Sequence, residues 1–150
     1  MDQEQRKFLT RRTADVLATS PMRESLSILN DSLLAVGGEF VVLPMIEEDV
    51  APPLLNPKRR RQWIAPATKM SRRQPSRCHA NSGFLWDANR DKLELCTGYA
   101  LSEDGLWRQH SWCWWPAQRK VVETTERCKA YVGFVMTAKR VEQFYYDNCI

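Results

Sequence analysis

The sequence predicts an α+β fold in which a helix packs on a four-stranded antiparallel sheet, with a helical extension on its N-terminal side. Three observations carry this expectation. Residues 93–136 hold four stretches rich in β-branched and aromatic residues, separated by short turn-rich links. The segments on either side, 78–88 and 137–148, have helix signals. A hydrophobic fraction of 43% in 150 residues suffices for one packed core.

In chain order, Asp2 to Leu34 reads as helical: Phe8, Val16 and Leu17 punctuate a polar stretch, and Ser20-Pro21 followed by Glu24 resembles a helix start. Leu26, Leu29, Leu33 and Leu34 give a three-four spacing on one face. Gly37-Gly38 stops that helix, and Phe40 to Leu43, closed by Pro44, suits a strand. Residues 51–77 contain Pro52, Pro53, Pro57, Pro66 and Pro75, which discourage a long helix and predict an irregular connector. Cys78 to Ala88 then forms a helix that buries Phe84, Leu85 and Trp86. Four strands follow, Leu93 to Leu101, Leu106 to Trp115, Lys120 to Thr125 and Ala130 to Met136, and Gly98 and Gly133 within them mark close backbone approach. Thr137 caps a last helix through Asn148, with Val141, Phe144 and Tyr145 as its apolar stripe. The divisions are thus a helical segment with a strand (1–50), a connector (51–77) and an α+β core (78–150), together one compact domain.

Charge is distributed unevenly over these divisions. Residues 1–50 carry five basic and nine acidic side chains, residues 51–77 eight basic and none acidic, and residues 78–150 nine of each. The positive excess therefore lies in the connector, where Lys58, Arg59, Arg60, Arg61, Arg72 and Arg73 are candidate contacts for an acidic partner or for nucleic acid. No helix-turn-helix, RNA-recognition motif or zinc finger accompanies them. No run approaches the length of a membrane span, and the opening MDQEQRKFLTRRT lacks a signal-type apolar region, so the expectation is a cytoplasmic chain, or one delivered into a host cell. Five cysteines without a CxxC pair read as thiols.

Nucleophilic chemistry is confined by the presence of only two histidines, His79 and His110. Cys78 stands at a predicted helix start, where unpaired N–H groups and the helix dipole favour a thiolate and an oxyanion. His110 lies on a predicted strand whose alternation puts Arg108, His110, Trp112 and Trp114 on one face. Glu123, on the next strand, can orient the imidazole across a hairpin. His79, adjacent to Cys78, is the other candidate for the base. The bland alternative is a packing role for all three.

Arg77-Cys78-His79-Ala80-Asn81, Gln109-His110-Ser111-Trp112 and Val122-Glu123-Thr124-Thr125 resemble the nucleophile, base and acid motifs of the transglutaminase-like cysteine hydrolases, within the papain-like superfamily. The resemblance covers about residues 74–136. It departs at Glu123, where that family more often has Asp, and at His79, where a small or aromatic residue usually follows the cysteine. It implies a papain- or transglutaminase-like core and a Cys78-His110-Glu123 triad without a cofactor or metal. It also implies thiol-dependent acyl transfer on a protein or peptide, whether amide hydrolysis, deamidation or transamidation. Asn81, Gln74 and Trp112 are the candidate oxyanion and substrate contacts. Two rival readings remain at this level. One is a zinc module drawing on Cys78, His79, Cys96, His110 and Cys113. The other is a non-enzymatic nucleic-acid- or protein-binding module that uses residues 58–77, or the α+β core itself with an inert triad look-alike.

Overall fold

The structure is a computed structural model that describes residues 1–44 and 51–150. Asp2 opens α1 (Gln3–Thr19) through a capping box, its side chain accepting from the Gln5 N–H while the Gln5 side chain accepts from the Asp2 N–H. The helical region is two helices rather than one. Ser20 turns back to accept from the Met22 N–H at 3.1 Å, and α2 (Arg23–Val36) starts after it. Along α1 the buried positions are Leu9 and Val16, while Phe8 is exposed. Leu26, Leu29 and Leu33 of α2 form the buried stripe that their spacing predicts. A two-residue strand, β1 (Phe40–Val41), follows.

The connector is the main departure from expectation. Instead of an irregular arm, the described residues from 51 onward contain α3 (Ala51–Leu54) and two strands, β2 (Arg61–Ile64) and β3 (Thr68–Met70). The prolines stand outside both strands, so they do not interrupt a ladder. Next come α4 (Cys78–Asp87), β4 (Glu94–Leu101), β5 (Leu106–Trp115), β6 (Lys120–Glu123), β7 (Ala130–Val135) and α5 (Ala138–Cys149). The Thr137 side chain accepts from the Arg140 N–H and caps α5.

The sheet is larger than four strands and mixed. Its order is β2-β7-β4-β5-β6-β3, with β1 also paired to β5. The β7-β4-β5-β6 pairings are antiparallel, as is β2 on β7, whereas β3 on β6 and β1 on β5 are parallel. Prolines that discourage a long helix leave room for strands of only four and three residues, too short to show a periodicity in the sequence. The sheet is also curled. Strand spacing would put β2 and β5 roughly 14 Å apart in a flat sheet, yet Trp63 of β2 meets Trp112 of β5 at 5.7 Å between ring centroids.

Both faces carry a core. On one face, Tyr99, Trp107, Cys113, Val132 and Phe134 pack with residues of α2, α4 and α5. On the other, Cys96, Ala100, Trp112, Val121, Cys128 and Tyr131 pack together, flanked by Trp63 and Trp114. Among the described residues, no helix is long and apolar enough to cross a membrane.

Gly98 and Gly133 face each other across β4 and β7, as their place inside strands predicts. A Cβ on Gly133 would lie 2.5 Å from both the Trp112 ring and the Thr97 carbonyl oxygen. Gly133→Ala is therefore expected to lower the urea midpoint, with a loss of about 1–3 kcal/mol from overpacking. An unchanged midpoint would mean that the Trp112 ring has room to retreat.

Candidate active site

Past the short pairing of Cys113–Trp115 with Lys120–Val122, β6 no longer pairs with β5. On the same edge β1 takes over only at Leu106–Trp107. The start of α4 lies against the interval between them. Ser82 Oγ donates to the Ser111 carbonyl at 3.0 Å, and the Ser111 N–H donates to the Cys78 sulfur. Ser111 thus ties a strand edge to the helix at two points, which brings Cys78, at the first position of α4, beside His110. The loop feeding the helix includes Ser76 in the left-handed region, at φ 60°.

His110 is 8% exposed and Glu123 has no exposed surface. His110 Nε2 lies 2.8 Å from Glu123 Oε2 and 3.1 Å from Oε1. An ionised carboxylate only accepts hydrogen bonds, so Nε2 carries a proton and Nδ1 is left for the Cys78 sulfur, with which His110 is hydrogen-bonded. The remaining lone pairs of Glu123 are also occupied. Oε1 accepts from the N–H groups of Thr124 and Thr125 at 2.9 and 3.1 Å and from Thr125 Oγ1 at 3.2 Å, and Oε2 accepts from the Tyr131 hydroxyl at 2.7 Å. The His110 ring is stacked near that of Trp112, with centroids 6.1 Å apart.

The electrostatics follow from these contacts. Burial disfavours the charged forms of all three groups, but their mutual contacts outweigh it. His110 is pushed up to about 10 against its burial by hydrogen bonds to Cys78 and Glu123. Burial alone would raise Cys78, yet the hydrogen bond and charge of His110 and the Ser111 N–H bring it below the ordinary thiol value. Burial also acts to raise Glu123, and His110, Tyr131 and the Thr125 N–H hold it below the carboxylate range. These directions favour a thiolate–imidazolium pair, backed by a carboxylate, over the neutral pair. The other four cysteines are shifted upward, first by burial, Cys113 and Cys128 to about 12.

The two histidines are separated in role. His79 Nδ1 is 2.6 Å from Ser111 Oγ, its ring stands edge-on to Phe144, and burial followed by the charge of His110 lowers its pKa. The imidazole on the sulfur is therefore that of His110. Asn81 is buried and its Nδ2 donates to the Gln74 carbonyl at 2.8 Å, which pins the loop before α4. Gln74 is exposed, its Oε1 accepting from Arg77 at 3.3 Å. Trp112 is fully buried between Tyr131 and Trp63, so as a substrate contact it is a correction: its place is the second core, behind His110.

The basic residues do not form one surface. Lys58 to Arg61 lead into β2, while Arg72 and Arg73 follow β3, on the opposite edge of the sheet. Arg59 donates to the Val135 carbonyl and stands over Phe134, and Arg60 bonds Ser32 and Gln62. Arg72 and Arg73 instead line a cleft of about 770 Å³ with Cys78 and His110.

For metal binding, Cys96 and Cys113 lie in the cores of opposite faces, which separates two ligands of the zinc reading. Among the described residues His110, Glu123 and Cys128 have ligand atoms within 4.8 Å of one another. They could hold an ion only by giving up the His110–Glu123 hydrogen bonds. Tyr131, Thr125, Ser111 and Cys128 are site residues that the sequence reading passed over. The signal was the buried acid itself, since a carboxylate among apolar neighbours requires several donors. Compared with known proteins, the chain matches no family model, no curated protein and no solved structure.

Cys78 is expected to be alkylated by iodoacetamide at about pH 6, where an ordinary thiol is protonated, while the other four cysteines stay unlabelled in the folded chain. Peptide mass spectrometry reads the result, and equal labelling of all five would remove the thiolate assignment. Stability should also depend on pH in a defined sense. Glu123 is held below its ordinary 4.5, so its contribution is complete above that value and is lost as pH falls through the depressed one. His110 has the opposite sign, contributing fully below 6.5 and losing that contribution as pH rises through about 10. The urea midpoint of the wild type is expected to fall more steeply below pH 4.5 than that of Glu123→Gln. Parallel curves would show that the carboxylate charge contributes nothing.

Proposed function

We propose that the chain is a thiol-dependent acyl-transfer enzyme acting on an amide of a protein or peptide, with Cys78 as nucleophile, His110 as general base and acid, and Glu123 as the group that orients the imidazole. The observation that carries this is the hydrogen-bonded sequence from the Cys78 sulfur through His110 to a buried, fully coordinated carboxylate. A structural role alone gives no reason to hold an accessible thiol against an imidazolium. Cys78 is half-buried at the floor of a cleft, as a nucleophile must be to meet its substrate.

In this reading the Cys78 thiolate attacks the carbonyl carbon, and the oxyanion is met by the N–H groups at the start of α4, which have no intrahelical acceptor. As the C–N bond breaks, His110 gives its Nδ1 proton to the departing amine, leaving a thioester on Cys78. Water then adds to the thioester while His110 takes up a proton, and the acid leaves with the thiol restored. An amine in place of water gives transamidation, and a side-chain amide as substrate gives deamidation; hydrolysis is the reading we favour. Glu123 keeps the Nε2 proton in place throughout, so that Nδ1 always faces the sulfur. The chain order of cysteine, histidine and acid supports grouping this chemistry with the transglutaminase-like cysteine hydrolases. Glu in place of Asp is accommodated by the donors that hold the longer side chain: Thr124, Thr125 and Tyr131.

The first chemical step can be tested with an activated ester, p-nitrophenyl acetate. We expect a burst of p-nitrophenolate and an acetyl adduct on Cys78. Cys78→Ala should abolish both, and His110→Ala should slow the step about 10²–10⁴-fold. Acylation of Cys78 no faster than that of the thiols in the urea-unfolded chain would overturn the assignment.

A further inference from the structure

The cleft above Cys78 has two walls. One is the segment from Arg72 through Ser76, joined by Thr125 and Glu126; the other is the β4–β5 hairpin from Ala100 to Gln109. Their charges are not equivalent. On the hairpin wall Arg108 is spoken for, because its two terminal nitrogens donate to the two oxygens of Asp104 at 3.2 and 2.8 Å. On the other wall Arg72 and Arg73 are exposed and make no ion pair among the described residues. The backbone holds them in place: the Ser71 N–H donates to the Glu123 carbonyl and the Arg73 N–H to the Thr124 carbonyl, both at 2.8 Å. The main chain that carries the two arginines is thus tied to the end of the strand that carries the orienting acid. With the Asp104 charge taken up by Arg108, Glu126 is, among the described residues, the one carboxylate left on the cleft lining against them.

Resting on the acyl-transfer reading, we propose that Arg72 and Arg73 form the specificity subsite of the Cys78 cleft, and that the substrate is a polypeptide carrying Asp or Glu next to the amide attacked. A guanidinium presents paired donors in a planar fork that match a carboxylate. A nucleic-acid phosphate would satisfy the same donors, but it offers no acyl carbon to a thiolate at the cleft floor, so an acidic peptide fits both halves of the site. Lys58 to Arg61 take no part, since they lie on the other edge of the sheet.

The test uses three peptidyl chloromethyl ketones that differ only in the residue preceding the reactive one: Glu, Gln or Lys. In each the Cys78 thiolate displaces chloride and forms a thioether, and intact mass gives the rate. We expect the order Glu, Gln, Lys, with the Glu probe about tenfold faster than Gln, as for one charge steered by a local field. Raising the salt should shrink that ratio, because exposed charges are screened. In Arg72→Ala/Arg73→Ala the ratio should approach one, and in Arg72→Glu/Arg73→Glu it should invert in favour of Lys. Because each ratio is taken within one protein, a general loss of reactivity does not imitate the effect. Equal rates for all three probes in a wild type whose Cys78 reacts rapidly, or a Glu preference that survives in both double variants, would overturn the acidic subsite and leave the acyl-transfer reading standing. If Cys78 reacts with no probe and is not alkylated near pH 6, the acyl-transfer reading fails and takes the subsite with it.

Discussion

A carboxylate without exposed surface has to be given donors, and meeting that requirement at Glu123 organises the site. An ionised carboxylate left unpaired in such a position would cost several kcal/mol. The chain supplies donors from three elements: the turn after β6 through Thr124 and Thr125, β7 through Tyr131, and β5 through His110. Each satisfies a lone pair and also fixes where its own strand stands. Once Nε2 of His110 is committed to Glu123, the remaining nitrogen can only address what lies on its other side, and there the N-terminus of α4 brings Cys78.

That meeting depends on an interruption in the sheet. A β6 strand paired along the whole of β5 would satisfy the Ser111 main chain and close the edge to a helix. The pairing stops at Cys113, and α4 supplies the missing partners, the Cys78 sulfur accepting from the Ser111 N–H and Ser82 donating to its carbonyl. His110 points to the face shared with Glu123 and Tyr131. The body of α4 lies with the other core, so Cys78 reaches His110 across the strand edge. Behind the imidazole, Trp112 has its position enforced by the absence of a side chain at Gly133. The tryptophans that crowd this part of the sequence therefore serve as a rigid backing, and Trp63 on the curled edge strand completes it.

The remaining cysteines and basic residues illustrate how environment sorts identical side chains. Cys96 and Cys113 are fully buried and lie on opposite faces, where burial pushes their thiols up. Cys128 has its sulfur within 4.8 Å of both a His110 nitrogen and a Glu123 oxygen, yet burial raises its thiol and the carboxylate adds to that. Only Cys78 has both a cationic partner and the end of a helix dipole. Among the arginines, Arg59 and Arg60 are used up in packing and internal hydrogen bonds, whereas Arg72 and Arg73 face the cleft.

The sequence by itself determined the elements whose signals are local. The leucine stripe of α2, the cap at Thr137, the β4 to β7 stretches with their short links and the start of a helix at Cys78 all follow from periodicity, caps and turns, although β6 ends at Glu123 and not at Thr125. So did the candidacy of Cys78, His110 and Glu123, because a chain with two histidines and a carboxylate among valines leaves few choices. Tertiary structure decided the rest, where the deciding contacts join residues far apart in the chain. The short strands β2 and β3 exist because β7 and β6 offer them unsatisfied edges, which no property of a proline-containing segment reveals. His79 and His110 are distinguishable only through their partners, Ser111 and Glu123. Trp112 was exposed or buried according to how far the sheet curls, and that depends on Trp63 reaching it from another strand. The basic segment, interrupted by no acidic residue in sequence, was divided between two edges of one sheet because the strands it contains pair at opposite ends of the strand order.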